Sequence, residues 1–584
     1  MKKGDLIKVK IIDVSNEGNG VARVHGDSDS NNRVIFVSGA TLGDEVLCEV
    51  TKIKKNYAVA KAKNIIVPSQ FRKSSEDVCP HLKEGCGGCN IGHLNYTKQL
   101  DLKSKRVRNA LTRIGGFSLE SDEVIFKEII PSNNDKAYRN KAVFSIEGSK
   151  VGFLKTMSRD VVACPHCQIL MPELKYAASG LSKFLKTYPK ESKYIKKFMV
   201  RVGDDGQIMA VIFGSISSIS HMQELCDFVS KECELISLYS VDIIEDKTCN
   251  NSKKLNYKTK SPQLLAGATT IQKTIGNLTF EVGPDAFFQV NEEQTRILYE
   301  KVREFVGELD QEYAGELNYK NSASTSDEFP DNKYKTNIVD LYCGVGTIGL
   351  SMSKDDNYIL GVELNREAVL NANRNAVINS IVNARYFHGA AEDILPKLID
   401  EGIDEGIEDF KLEKIDLIVM DPPRAGCDKV LLDTIGQVMP RSIVYVSCDP
   451  ATLARDLAIL CNEYGYKLRK ACPVDMFPGS LNVETVALLS KLNTEHHLDI
   501  EIGEDELSEI DFSKDATYGE IKKDVLDKYG LKVSSLYIAQ IKRKHGLIER
   551  ENYNFSKKEN QRVPNCPEEK EKAIEDALEH FGMI

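Results

Sequence analysis

In the stretch YVSCDPATLARD, residues 445–456, a single cysteine stands between a serine and an Asp-Pro pair. The apolar run before it, Ser442 to Val446, reads as a strand, and Ala451 onward reads as a helix. Cys448 therefore sits at a strand mouth and a helix start, where an open α/β sheet places ligand-binding groups. A helix N-terminus favours thiolate over thiol, so Cys448 is expected to be an activated nucleophile rather than a buried structural cysteine. A thiolate can add to C6 of a uracil ring and make C5 carbon-nucleophilic, which a neutral uracil is not. The adduct can be released only when a base removes the C5 proton. Glu484, in DMFPGSLNVETVALLS, opens an otherwise apolar strand and is the candidate base, because a carboxylate there is costly unless used or paired.

A second group of residues fits a cofactor. CGVGTIG carries Gly344, Gly346 and Gly349, and Glu363 ends the next strand 19 residues after Gly344. Glycines let the backbone approach a ligand, and a carboxylate on the second strand can take ribose hydroxyls. That pattern alone does not separate a nicotinamide dinucleotide from S-adenosylmethionine. The turn Asp421-Pro422-Pro423-Arg424 at a later strand end favours a methyltransferase. An NAD enzyme would need a hydride-transfer site, and the sequence offers none.

The third group is of thiols. Cys79, Cys86 and Cys89 are spaced C-x6-C-x2-C, and ACPHCQIL adds Cys164 and Cys167. Two C-x2-C pairs would suit zinc, and three close thiolates plus one distant thiolate would suit an iron–sulfur cluster. The long gap between the pairs weighs against a zinc ribbon. Disulfides fit poorly in a cytosolic chain, and the N-terminus lacks the apolar core of a signal peptide.

These residues must be positioned by several domains, since 584 residues exceed one hydrophobic core. The composition, 42% hydrophobic and 28% charged, is that of a soluble globular chain, and no apolar run is long enough to span a membrane. Residues 1–66 read as short strands of a small OB-like β-barrel. They carry 11 Lys+Arg against 8 Asp+Glu in a chain of net charge −10, which suits an RNA-binding module as well as a solvated barrel face. Residues 98–114 form a basic amphipathic helix. An α+β central domain with the cysteines spans 67–97 and 137–280. Residues 98–136 and 281–493 make a doubly wound, Rossmann-like α/β domain in which strands alternate with helices. Residues 247–262 and 311–335 read as polar insertions or connections, and 494–584 as a short helical extension with a basic run at Lys542, Arg543 and Lys544.

Six ordered motifs, YRNKAVFSI, DAFFQVN, DLYCGVGTIGL, DPPRAG, YVSCDPATLARD and DMFPGSLNVETVALL, follow a barrel that is similar to a TRAM domain. Together they resemble the RNA (uracil-5)-methyltransferase family, closest to members acting on 23S ribosomal RNA, over residues 1 to about 492. The resemblance implies a class I methyltransferase domain and transfer of a methyl group from S-adenosyl-L-methionine to a uridine in RNA. It implies that Cys448 is the nucleophile and Glu484 the base. It further implies that Gln289, Tyr342, Glu363 and Asp421 contact the cofactor, with Glu363 on the ribose. By the same resemblance a [4Fe–4S] cluster is held by Cys79, Cys86, Cys89 and Cys167, with Cys164 as rival fourth ligand and zinc as the alternative metal. The basic 98–114 segment would pack with the catalytic domain. Where the family carries a histidine near the base, Gly479 and Asn482 stand here. A monomeric cytoplasmic enzyme on 23S rRNA is expected. A transfer-RNA uracil-5 enzyme, an RNA cytosine-5 enzyme and a non-catalytic RNA-binding metalloprotein are the rivals. The cytosine-5 reading is disfavoured by Arg424 in a place where that family often has a cysteine.

Overall fold

The computed structural model describes residues 1–24, 33–119, 124–245, 257–320, 336–399, 414–491, 518–529, 531, 533, 535–545, 567–581 and 583. The chain divides into two compact units, Met1–Leu492 and Asn493–Ile584.

The first unit opens with six short strands between Leu6 and Val67, in the spatial order first, fifth, sixth, fourth, third, second. Alternation builds the interior. In Glu45–Ile53, Val46, Cys48 and Val50 point in, while Glu49 on the other face pairs with Lys63. Buried Asp44 fixes the barrel to the segment that follows it. It accepts two hydrogen bonds from Arg72, at 2.8 and 2.6 Å, and one each from the backbone N–H groups of Thr41 and Ser69.

Residues 141–267 form a second sheet, with helices Pro172–Thr187 and Met222–Ser230 packed on it over Leu174, Leu181, Phe184, Phe198 and Val200.

The third sheet is doubly wound. In spatial order its strands are Ala384–His388, Asn357–Glu363, Thr336–Leu341, Leu417–Met420, Ser442–Ser447, Glu484–Lys491 and Tyr466–Val474, with short Ile125–Phe126 at the edge. The first five run parallel, and Glu484–Lys491 runs antiparallel to both of its neighbours. Near-continuous apolar runs such as LIVM (417–420) reflect burial on both faces. Helix Tyr96–Arg113 starts two residues earlier than its basic pattern suggests, because the Asn95 side chain accepts from Lys98 N. It buries Val107, Ala110 and Leu111 in the core shared with Leu453, Ala454 and Leu457 of helix Pro450–Tyr464. It thus lies on the doubly wound sheet although the second sheet intervenes in sequence.

Two polar stretches differ from their reading as connections. Residues 311–320 continue the helix Glu292–Lys320, since good helix formers with no proline follow its amphipathic start. Residues 257–259 form a strand paired with Leu235–Glu245. Residues 260–262 form a connection as read, and 247–256 and 321–335 lie outside the described residues.

The second unit holds helices Tyr518–Tyr529, Ser535–Lys544 and Glu568–His580 around Ile521, Val525, Ile538, Ile541, Ile574 and Leu578. In its basic run, Lys544 is taken by Glu571 at 2.6 Å and Glu575 at 2.9 Å. No helix among the described residues is long and apolar enough to cross a membrane.

Candidate active site

The strand ladders bring three acids to one edge of the doubly wound sheet. Met420 pairs with Tyr445, and Ser447 pairs with Thr485. Asp421, Cys448 and Glu484 therefore occupy adjoining strand ends. Cys448 feels both carboxyls, and Glu484 feels Asp421. Burial pushes the Cys448 thiol up to about 11, and the Glu484 and Asp421 carboxyls add to the rise. Arg424, which hydrogen-bonds to the thiol, pulls it down. Glu484 is 3% exposed and its Oε2 has no hydrogen-bond partner. Burial, then Asp421, raise its carboxyl far above the ordinary range. Burial raises Asp421 to about 7.

The thiol is thus raised, contrary to the expectation from its position at a helix start, because burial and the two carboxyls from neighbouring strands outweigh Arg424. The helix itself is capped by the Asp449 side chain, which accepts from Ala451 N at 2.9 Å and Thr452 N at 3.3 Å.

The glycine loop lies at the same edge. Gly344 and Gly346 have φ of +56° and +82°. A Cβ on Gly346 would stand 2.7 Å from the Tyr386 hydroxyl oxygen, whereas a Cβ on Gly344 would meet open space. Glu363 accepts from Gly344 N at 3.1 Å and from Asn365 N at 2.8 Å, which fixes its carboxylate beside that space. Tyr342, also left-handed at φ +61°, bonds with the Cys427 thiol and packs on the core beneath it. Gln289 is buried, and Asn140 donates to its carbonyl. It lies three residues before the helix Glu292–Lys320, whose Tyr299 bonds to Thr347 of the glycine loop at 2.7 Å.

The profile of the tRNA (Uracil-5-)-methyltransferase family matches residues 326–492, and that of the TRAM domain matches residues 2–63. A Clostridium tetani protein described as an uncharacterized RNA methyltransferase is 35% identical over 503 residues, covering 84% of this chain and 97% of that protein. A Clostridium acetobutylicum protein with the same description is 33% identical over 506 residues, covering 84% and 98%. The chain belongs to the RNA (uracil-5)-methyltransferase family. Its fold is that of S-adenosylmethionine-dependent methyltransferases. The crystal structure of Pyrococcus abyssi tRNA (uracil-54, C5)-methyltransferase in complex with S-adenosyl-L-homocysteine matches it with a TM-score of 0.56 and 22% identity, covering 83% of this chain and all of that one.

In this methyltransferase the five cysteines singled out by spacing also meet. Cys79, Cys89 and Cys167 line one cavity with Gly92 and Gly479. Burial raises Cys89 to about 12, and Cys167, Cys86 and Cys79 push it the same way. Cys86 bonds with Cys164, so both late cysteines reach the early group. Among the described residues, no three His, Cys, Asp or Glu side chains already stand in metal-ligand geometry. Gly479 has φ +88°, a backbone conformation that strains a residue with a side chain, and a Cβ there would be in ordinary contact, 3.4 Å from the Cys89 sulfur.

Three site groups escaped the sequence reading. Arg424 was read only as part of the turn and as a non-cysteine, yet its positive charge acts on both Cys448 and Glu484. Tyr299 stands among the Asp421, Asp340 and Glu484 carboxyls. Asp340 is fully buried and raised by that burial to about 7. Its Oδ2 accepts from Gly349 N at 2.8 Å and its Oδ1 is unpartnered. A lone carboxylate in the apolar strand TNIVDL is the same signal that exposed Glu484.

Proposed function

We propose that this enzyme methylates C5 of a uridine in 23S ribosomal RNA through a covalent cysteine adduct. The observation that carries the reading is the convergence of Cys448, Glu484 and Arg424 at one sheet edge beside the glycine loop. Arg424 would favour the Cys448 thiolate, which adds to C6 and sends the C5–C6 electron pair into an enolate. C5 then takes the methyl group. Glu484, as carboxylate, removes the C5 proton, and the returning electron pair restores the double bond and expels the thiolate.

S-adenosylmethionine, when bound, supplies the methyl group and a positive sulfonium. The residues present fit it. Gly344 leaves open backbone space, Glu363 would offer a fixed carboxylate to ribose hydroxyls, Asp421 ends an adjoining strand at the same edge, and Tyr342 and Gln289 are assigned to the cofactor by the family resemblance. A [4Fe–4S] cluster suits the thiols. Cys79, Cys89 and Cys167 share a cavity, and Cys86 adjoins them through Cys164. A thiol such as Cys89, raised by burial and by its thiol neighbours, would become a stable thiolate on a cationic metal core. The cluster would supply a structural tie between residues 79–89 and 164–167, and Cys167 is assigned as its fourth ligand.

The TRAM domain and the cysteine group in one chain support the ribosomal reading. The fold likeness to an enzyme named for tRNA uracil-54 keeps transfer RNA as the second reading. Tritium release from RNA labelled at uridine C5 tests both. Cofactor-dependent release from 23S rRNA but not tRNA is expected. Release from tRNA alone would move the substrate. Methyl incorporation without release would refute C5 of uridine.

A further inference from the structure

Helix Tyr96–Arg113 presents Tyr96, Gln99, Lys103 and Arg106, spaced by three, four and three residues, so they form one stripe. Nearly the whole stripe holds the loop between Val474 and Glu484. The Tyr96 hydroxyl donates to Asp475 at 2.9 Å. Gly479 N donates to Gln99 at 2.8 Å. The fully buried Lys103 ammonium pairs with fully buried Asp475 and donates to the Phe477 carbonyl at 3.0 Å. Arg106 donates to the Leu481 carbonyl at 2.9 Å and to the Asp449 carboxylate at 3.3 Å.

Of these four, Arg106 is the one whose partners belong to the segment before Glu484 and the segment after Cys448. Leu481 lies three residues before Glu484, and Asp449 directly follows Cys448. The ladder pair Ser447–Thr485 aligns the strand bodies, but it ends at that pair. Beyond it the chain at Cys448 leaves the strand for a helix, while Glu484 stays paired with Val474 of the strand on its other side. No ladder pair joins the Cys448 position to the Glu484 position directly. One planar guanidinium, bonded on one side to each segment, links the two. Its side chain is only 18% exposed, so solvent competes weakly for those bonds.

We infer that Arg106 is a positioning residue that sets Cys448 and Glu484 at the separation needed to act on adjacent ring atoms, C6 and C5, of one uracil. This rests on the proposed roles of those two residues. Arg106 touches no reacting atom in it and acts through Leu481 and Asp449. Misplacing a reacting group by about 1 Å can cost about 100-fold in rate. Both chemical steps should suffer, because both groups are tied to the same guanidinium.

The test uses the full chain with Arg106→Gln and Arg106→Lys, and Lys105→Ala as a neighbouring charge control. Tritium release gives kcat and KM for RNA. RNA carrying 5-fluorouridine gives the rate of adduct formation alone, since fluorine cannot leave as a proton does. Thermal melting and S-adenosylhomocysteine binding report the fold. Expected for Arg106→Gln is a kcat lower by about tenfold to 100-fold, slower trapping by a similar factor, and KM, melting and cofactor binding near wild type. Arg106→Lys should also lose kcat, because one ammonium cannot hold both partners in the same geometry, and Lys105→Ala should not. Wild-type kcat in both Arg106 variants overturns the inference. So does a rise in KM alone, which would make Arg106 an RNA contact, and so does a loss confined to melting temperature and cofactor binding. If the wild type itself forms no adduct with fluorinated RNA, the roles of Cys448 and Glu484 fail instead.

Discussion

Replacing Arg424 by glutamine should make Cys448 a slower nucleophile, by an amount that can be worked out. The thiol stands at about 11, held there by burial and by the Glu484 and Asp421 carboxyls. At pH 8 only about one molecule in 1,000 then carries the thiolate, and the fraction rises about tenfold per pH unit. Arg424 hydrogen-bonds to the sulfur and opposes the rise. A charge-assisted bond contributes about 1.5–3 kcal/mol, but the guanidinium is solvent-exposed, so screening leaves roughly 1.4 kcal/mol, or about one pKa unit. Its removal cuts the thiolate about tenfold. A more basic thiolate is intrinsically more nucleophilic, which returns about half a log unit. The net expectation is alkylation of Cys448 about threefold to fourfold slower at any pH between 7 and 9. The slope of log rate against pH should stay near one in both proteins. Iodoacetamide labelling of the Cys448 peptide, quantified by mass spectrometry, measures this among the other cysteines. Equal or faster labelling of Arg424→Gln, or a wild-type profile that levels off below pH 9, would refute the charge reasoning.

Glu484→Gln should still form the adduct and accept the methyl group, but it should not release tritium, so a covalent RNA–protein band should accumulate on a denaturing gel. Glu363→Ala removes the acceptor for Gly344 N and Asn365 N, and S-adenosylhomocysteine should bind at least about tenfold more weakly by calorimetry. Anaerobically prepared Cys79→Ser and Cys167→Ser should lose iron and sulfide, whereas Cys164→Ser should keep them. Stoichiometric zinc with no iron in the wild type would replace the cluster by the zinc reading.

What the sequence made legible follows from range. The strand-mouth cysteine, the carboxylate that opens an apolar strand and the Gly344–Glu363 spacing are all set by residues within about one βα unit. Local pattern suffices to place them. The 311–320 helix was misread because polarity was taken as absence of structure, although Ala, Glu, Leu and Gln propagate a helix already begun at Glu292. The protonation of Cys448 was misread for a different reason. The helix end was visible in sequence, but the burial of the thiol and the carboxyls from two other strands were not. The Arg106 bridge was beyond reach altogether, since its partners lie 343 and 375 residues away in the chain.

In the proposed mechanism the arrangement would also order the proton events. Asp421, Cys448 and Glu484 crowd one sheet edge, and the negative charge of each carboxyl raises the Cys448 thiol, with Asp421 raising Glu484 in addition. Arg424 opposes both rises. Forming the thiolate, its proton passing to solvent, would be easier while Glu484 is uncharged, and covalent addition would then remove the sulfur charge by making it a thioether. Glu484, once it has given its own proton to solvent, would from that point face no anion at Cys448, at the stage when the C5 proton must be taken. Repulsion between the two groups would thus separate nucleophilic addition from proton removal rather than oppose the chemistry.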